Sequence, residues 1–267
     1  MKMNNLRGLH VRAWKKLWRK FERAMPAAGA HFCVCCGEKV FRFLPYGSGK
    51  SAEPLVGSML DMVGSDIEHY ECPRCGASDR ERHLYMYCRH LGLDKRMHGA
   101  KILHFAPELH FSNFIKSMEP SEYVRADLFP RDSAVQKMNI QEIPYPDASF
   151  DFVIANHVLE HVANDGVAVR EISRILKQGG VAILQTPYSA MLENTFEDQG
   201  IVSEAAREFA YGQNDHVRLF GRDIFSRLGR FGLSARVQEH AILSSAVDAR
   251  VHGVNPREPF FLFERTN

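Results

Sequence analysis

No run of apolar residues in this 267-residue chain approaches the ~20 that a helix needs to cross a bilayer. The first residues, MKMNNLRGLHVRAWKKLWRK, also lack an uninterrupted apolar stretch and a small-residue cleavage site, which excludes a secretory signal. The expectation is a soluble, cytoplasmic protein. Six cysteines without an export signal are then unlikely candidates for a disulfide framework and better candidates for metal ligation. Charge of one sign is scarce overall, at a net +2. The near-balance hides an asymmetry: residues 1–24 hold eight basic side chains against Glu22, leaving the remainder about −5 by difference. With 45% apolar residues, the chain can bury one sizeable α/β core plus a small appended module.

The basic segment is amphipathic. Leu6, Leu9, Trp14, Leu17, Trp18, Phe21 and Met25 recur at three- and four-residue steps, which predicts a helix over 1–25 with one apolar stripe. Such a helix can dock on its own protein, lie on an anionic membrane surface at the periphery, or grip RNA. The acidic remainder of the chain makes nucleic acid the weakest of these partners. Oligomeric state is left open.

Four of the cysteines form two CxxC pairs, Cys33/Cys36 and Cys72/Cys75, each followed by glycine. A CxxC turn lets two thiolates face one ion, and two such turns complete a tetrahedral S4 site with no open coordination position. The pattern predicts a structural zinc on Cys33, Cys36, Cys72 and Cys75, in a module spanning 26–98 with its connecting helix. Cys35 is a spare thiol that could replace a neighbour. Cys88 reads as a small core residue. The intervening segment carries Gly47, Gly49, Gly57 and Gly64. Asp79 to His83, just after the second pair, reads as a solvated helix start, with a substrate-facing basic patch as the alternative.

Beyond residue 99 the pattern becomes β, α, β. Lys101–Ala106, Tyr123–Leu128, Val135–Met138, Phe152–Ala155 and Val181–Leu184 are short apolar-rich runs bounded by turn residues. Between the last two, Val167, Ile172, Ile175 and Leu176 keep helical spacing and Gly179 reads as the helix stop. Ligands of open α/β sheets bind beyond the carboxyl ends of the strands. That placement nominates Asn156 to His161 and Gln185 to Tyr188, while Asp127, at the end of its strand, is placed to accept hydrogen bonds from a ribose diol.

The segment from Asn139 to His161, followed by RILKQGG at Arg174 to Gly180, resembles the core of class I S-adenosylmethionine-dependent methyltransferases of the type 11 branch. Within that branch the chain is similar to bacterial proteins with a zinc-knuckle prefix and an HFAPE segment, here His104 to Glu108. The resemblance covers about 100–267. It implies an α/β, Rossmann-like, seven-stranded and mostly parallel sheet with helices on both faces. Its last strand, near Phe260 to Glu264, would run antiparallel. It also implies S-adenosylmethionine as cofactor, with Ala106, Glu108, Asp127, Asn139, Ile140, Asn156 and His157 around it. Two departures stand out: the loop after the first strand, Ala106 to His110, contains no glycine, and Asn139 replaces the family's usual aspartate.

The resemblance places the turn after Ala155 beside the reacting sulfur, so Glu160 and His161 become candidates for a general base or for orienting the acceptor. Asn214 to Gly221 closes a long acidic segment that would form a lid, and makes His216 a third candidate. The function expected is methyl transfer to a small-molecule or saccharide acceptor. RNA methylation and a non-catalytic, zinc-bearing interaction module are the alternatives.

Overall fold

A computed structural model describes residues 2–47, 59–243 and 248–266, with residues 2–12 as backbone only; Gly49 and Gly57 lie outside them. Eleven strands are present among these residues: β1 (His31–Cys33), β2 (Glu38–Val40), β3 (Met62–Val63), β4 (Lys101–Phe105), β5 (Glu122–Asp127), β6 (Gln136–Lys137), β7 (Phe150–Ala155), β8 (Leu176–Ile183), β9 (Tyr188–Ser189), β10 (Leu233–Ala235) and β11 (Leu262–Arg265). Seven of them form the central sheet in the order β10-β11-β8-β7-β4-β5-β6. Strands β4 to β8 pair in parallel, and β11 is inserted antiparallel between β8 and β10.

The alternation of side chains along these strands builds two cores. Leu103, Phe105, Val153, Ala155 and Ala182 face one side, where the helix Asp165–Ile175 lays down Ala168, Val169 and Ile172. Ile102, Phe152, Ile154, Val181 and Ile183 face the other. Leu84, Tyr87 and Cys88 from the helix Asp79–His90 pack there, as do Phe111, Phe114 and Ile115 from the helix Leu109–Ser117. Strands apolar on both faces are what a sheet covered on both sides requires.

Local signals differ from expectation at two places. The helix Asp165–Ile175 starts at the N-cap Asn164, whose side chain accepts from the Val167 amide, and ends before Leu176, which already belongs to β8. Gly179, with φ 71°, therefore sits inside the strand and does not stop the helix. The stretch Asp79 to His83 is not a solvated helix start: Asp79, Glu81, Arg82 and His83 are all buried. Ser78 and Glu81 close a capping box there, and the second Glu81 oxygen accepts from the His110 amide.

The N-terminal helix, Lys2–Ala24, docks on the cysteine-bearing segment. Trp14, Trp18 and Phe21 stack in series, Phe21 reaches Phe41, and Arg42 lies over both indoles. Lys15 and Arg19 both pair with Glu71, and Glu22 accepts from the Phe41 amide.

That segment is tied to the main sheet in turn. The buried Arg82 spends its guanidinium donors on the carbonyls of His69, Tyr70 and Ala77 on one side and His252 and Gly253 on the other, while its plane lies 3.9 Å from the Phe43 ring centre. Gly253 is held at φ 60°, and a Cβ there would lie 2.3 Å from the Phe43 ring. Strand β3 also pairs with β9, so residues 60–64 grip the segment that follows β8.

Candidate active site

The cysteine pairs converge. One ligand atom each from Cys33, Cys36, Cys72 and Cys75 lies within 4.8 Å of the others, whereas Cys35 is outside the group. Both turns have the same closure, Gly37 amide to Cys33 carbonyl and Gly76 amide to Cys72 carbonyl. Gly37 and Gly76 both have positive φ, which glycine adopts freely. The donor set is that of a closed, four-thiolate metal site.

A cleft of about 600 Å³ opens at the carboxyl ends of β4, β5 and β7. Ala106, Asp127, Asn139, Ile140, His157 and His161 line it. Asp127 uses one carboxylate oxygen to accept from the Phe129 amide at 2.7 Å, and Asn139 uses its side-chain oxygen to accept from the Gln141 amide at 3.0 Å. The other Asp127 oxygen and the Asn139 NH2 remain for a ligand. Glu108 and Asn156 do not line the cleft. They form a network beside it, in which His104 bridges the Tyr123 hydroxyl and Glu108, and Asn156 donates to the second Glu108 oxygen. Burial works to raise the Glu108 carboxyl, but the hydrogen bond and charge of His104 outweigh it, and the group is held below its ordinary range.

The loop without glycine still takes the glycine conformation. Ala106 has φ 48° and anchors its amide on the Ala126 carbonyl. An alanine there carries a left-handed penalty of about 1 kcal/mol or somewhat more. His157 is also left-handed, at φ 51°, with its amide on the Gln185 carbonyl, so the tips of β7 and β8 are locked together.

At that junction the three candidate catalytic residues meet. Ligand atoms of Glu160, His161 and His216 lie within 4.8 Å of one another, and the two imidazole rings stand edge to face at 4.7 Å. His157 adds its Nδ1 at 3.4 Å from Glu160 Oε1. Burial alone would raise the Glu160 carboxyl; the hydrogen bond and charge of His157, with His216 and His161 behind it, bring it down to about 2. Burial lowers His216, so its imidazole is neutral at physiological pH. Neither Glu160 nor His161 caps a helix, since Asn164 does so. Asp215 pairs with His161 at 3.4 Å.

Arg218 explains how a distant segment delivers His216. Its guanidinium donates to the carbonyls of Leu159, Val162 and Ala163 and to Glu197, while the Val217 amide donates to the Glu160 carbonyl. A second cleft, about 200 Å³, lies on the other side of this junction. His157 and His216 line it, together with Tyr46, Tyr70, Arg80 and Tyr211. His157 thus borders both clefts. Arg80 belongs to the run whose alternative reading from sequence is a substrate-facing basic patch, whereas Tyr46 and Tyr70 were not legible because nothing in their local sequence says that the cysteine-bearing segment folds over the strand ends.

Residues 99–184 match the family model described as a methyltransferase domain, type 11. The chain carries a class I, S-adenosylmethionine-dependent methyltransferase domain. It is 39% identical over 59 residues to Rv3030 of Mycobacterium tuberculosis, named a probable S-adenosylmethionine-dependent methyltransferase, a stretch covering 22% of this chain and 21% of that protein. It is 32% identical over 69 residues to the uncharacterized methyltransferase YcgJ of Bacillus subtilis, covering 24% and 27%. The chain thus spans about a fifth to a quarter of the length of these curated relatives. The crystal structure of YcgJ overlays with a TM-score of 0.44 at 15% identity, covering 67% of this chain and 99% of that one.

Proposed function

We propose that the protein transfers a methyl group from S-adenosylmethionine to a small-molecule or saccharide acceptor. The observation that carries this reading is the meeting of two clefts at His157, the larger suited to the cofactor and the smaller to the acceptor. The larger fits an adenosine ligand through Asp127 for the ribose hydroxyls, the Asn139 amide for the adenine edge, and apolar walls from Met138, Ile140 and Val158. Asn156 Oδ1 is buried without a partner among the described residues, an acceptor that a cofactor ammonium would satisfy. When bound, the cofactor supplies a methyl group on sulfonium.

The chain's own task is then alignment and exclusion of water. The smaller cleft offers aromatic faces from Tyr46, Tyr70 and Tyr211 and a single guanidinium, Arg80, among its lining residues. That combination supports a compact polar acceptor such as a sugar and is poorly matched to a nucleic-acid backbone. Glu160, His161 and His216 sit where the acceptor proton must leave. The closed thiolate set supports a structural zinc that shapes the acceptor wall.

Calorimetry with S-adenosylhomocysteine tests the reading. Binding in the micromolar range is expected, falling at least tenfold in Asp127→Ala, because each ribose hydrogen bond to a charged group contributes about 1.5–3 kcal/mol. Absence of binding by folded, metal-loaded protein would reject it.

A further inference from the structure

We propose that Glu160, His161 and His216 form a second metal site, a divalent-cation centre with an open position facing the acceptor cleft. The inference deepens the methyl-transfer reading and rests on it only for what the ion does; occupancy of the site by a cation stands or falls separately.

Three features carry it. First, geometry: with no pair of ligand atoms farther apart than 4.8 Å, a point exists no more than roughly 2.8 Å from all three, against bonds of about 2.0–2.2 Å for imidazole and carboxylate ligands. Modest side-chain rotation closes the difference.

Second, each ligand is held by its other polar atom. His216 Nδ1 faces the Tyr211 carbonyl at 3.1 Å, and His161 Nδ1 lies 3.4 Å from Asp215 Oδ2. The Nε2 of each ring makes no hydrogen bond among the described residues. Thr186 donates to Glu160 Oε2 at 2.9 Å, and Oε1 has His157 Nδ1 at 3.4 Å beside it. Carboxylate or carbonyl groups behind a ligating imidazole fix its tautomer and raise its basicity. Third, burial: Glu160 is 2% exposed and His216 7%, so these two ligands are enclosed by protein and held in place before an ion arrives. Among the described residues Glu160 makes its ion pair with His157 and forms no salt bridge with a lysine or arginine.

Two imidazoles and one carboxylate suit first-row ions such as Mn²⁺, Co²⁺ or Zn²⁺, and three protein ligands leave room for a fourth. His216 lines the acceptor cleft and His161 the cofactor cleft, so the open position faces the line between nucleophile and methyl group. A hydroxyl of the acceptor bound there loses its proton to water at lower pH than it would in solution. Its oxygen then forms the O–C bond as the C–S bond breaks, and the electron pair of that bond returns to sulfur.

The test is a Mn²⁺ titration of zinc-loaded protein followed by electron paramagnetic resonance, since thiolate is a poor ligand for Mn²⁺ and the ion does not displace zinc from the four cysteines. One Mn²⁺ per chain is expected, with affinity falling at least tenfold in His216→Ala and in His161→Ala. Zinc content and S-adenosylhomocysteine binding, measured on the same samples, report whether each variant is folded. His161 is the safer of the two variants because its side chain is 30% exposed. Folded wild type that binds S-adenosylhomocysteine but no Mn²⁺ would overturn the metal site and leave the methyl-transfer reading intact. Mn²⁺ bound without S-adenosylhomocysteine would do the reverse. Mn²⁺ binding unchanged in folded His161→Ala and His216→Ala would also overturn the assignment.

Discussion

Asp79 is buried to 1% exposure, and its Oδ1 has no hydrogen-bond partner among the described residues. Burial, with the nearby charge of Glu258 second, pushes its carboxyl up to about 8. An unfolded aspartate titrates near 3.9. Folding therefore favours the protonated form, so this group's contribution is complete below about 4 and is lost as pH rises toward about 8. Asp79→Asn removes the titration while keeping an acceptor for the Asp66 amide. The variant should gain on wild type as pH climbs from 5 to 9, by a few kcal/mol in order of magnitude, measured as the gap between melting temperatures. A gap independent of pH would contradict this.

The same residue shows why part of the site stayed hidden. Asp-Arg-Glu-Arg-His is, by composition, a surface string; only the sheet packed against it and the carbonyls gathered around Arg82 make it interior. Asp127, Asn139, His157 and His161 were legible because their places at strand ends follow from local periodicity. Glu108 and Asn156 were also found, yet their side chains bond to each other beside the cleft instead of lining it.

At the scale of elements, the segment from Phe196 to Phe220 is fastened by two arginines, Arg218 from within it and Arg227, which both pair with Glu197. Phe196 and Leu219 bridge its two ends, and Arg218 joins it to the loop that carries Glu160 and His161. Arg218→Met would leave the Val162 and Ala163 carbonyls without a donor, since Leu159 still accepts from the Val162 amide. It should destabilise the protein by about 3 kcal/mol and raise amide hydrogen exchange in 159–163 and 196–220 first. Equal protection in wild type and variant would show that Arg218 is not a fastener. The strands and the helix Asp165–Ile175 were readable from period and apolar content. The β3–β9 pairing was not, because two-residue strands separated by more than a hundred positions leave no periodic trace.

For the whole molecule, the decisive contact is between the metal-ligating segment and the sheet. Cys72→Ser should release the zinc, detected by metal analysis, and lower the melting temperature by several degrees. Exchange should rise in 33–90 and also around 249–253, which the Arg82 bonds reach. A variant that retains full metal, or whose exchange changes are confined to 33–47, would contradict this coupling. The seven-stranded sheet was expected from the sequence. That Tyr46 and Tyr70 of the cysteine-bearing segment line the smaller cleft was not, since a CxxC pair says nothing about the neighbour its segment covers.

Arg82 also imposes an order on folding. Its donors are satisfied by carbonyls near residue 70 and by others near residue 252, and a buried guanidinium short of partners is costly. During synthesis Arg82 must therefore stay hydrated until residues 252 and 253 have emerged, and the helix that carries it cannot settle into its buried place before then.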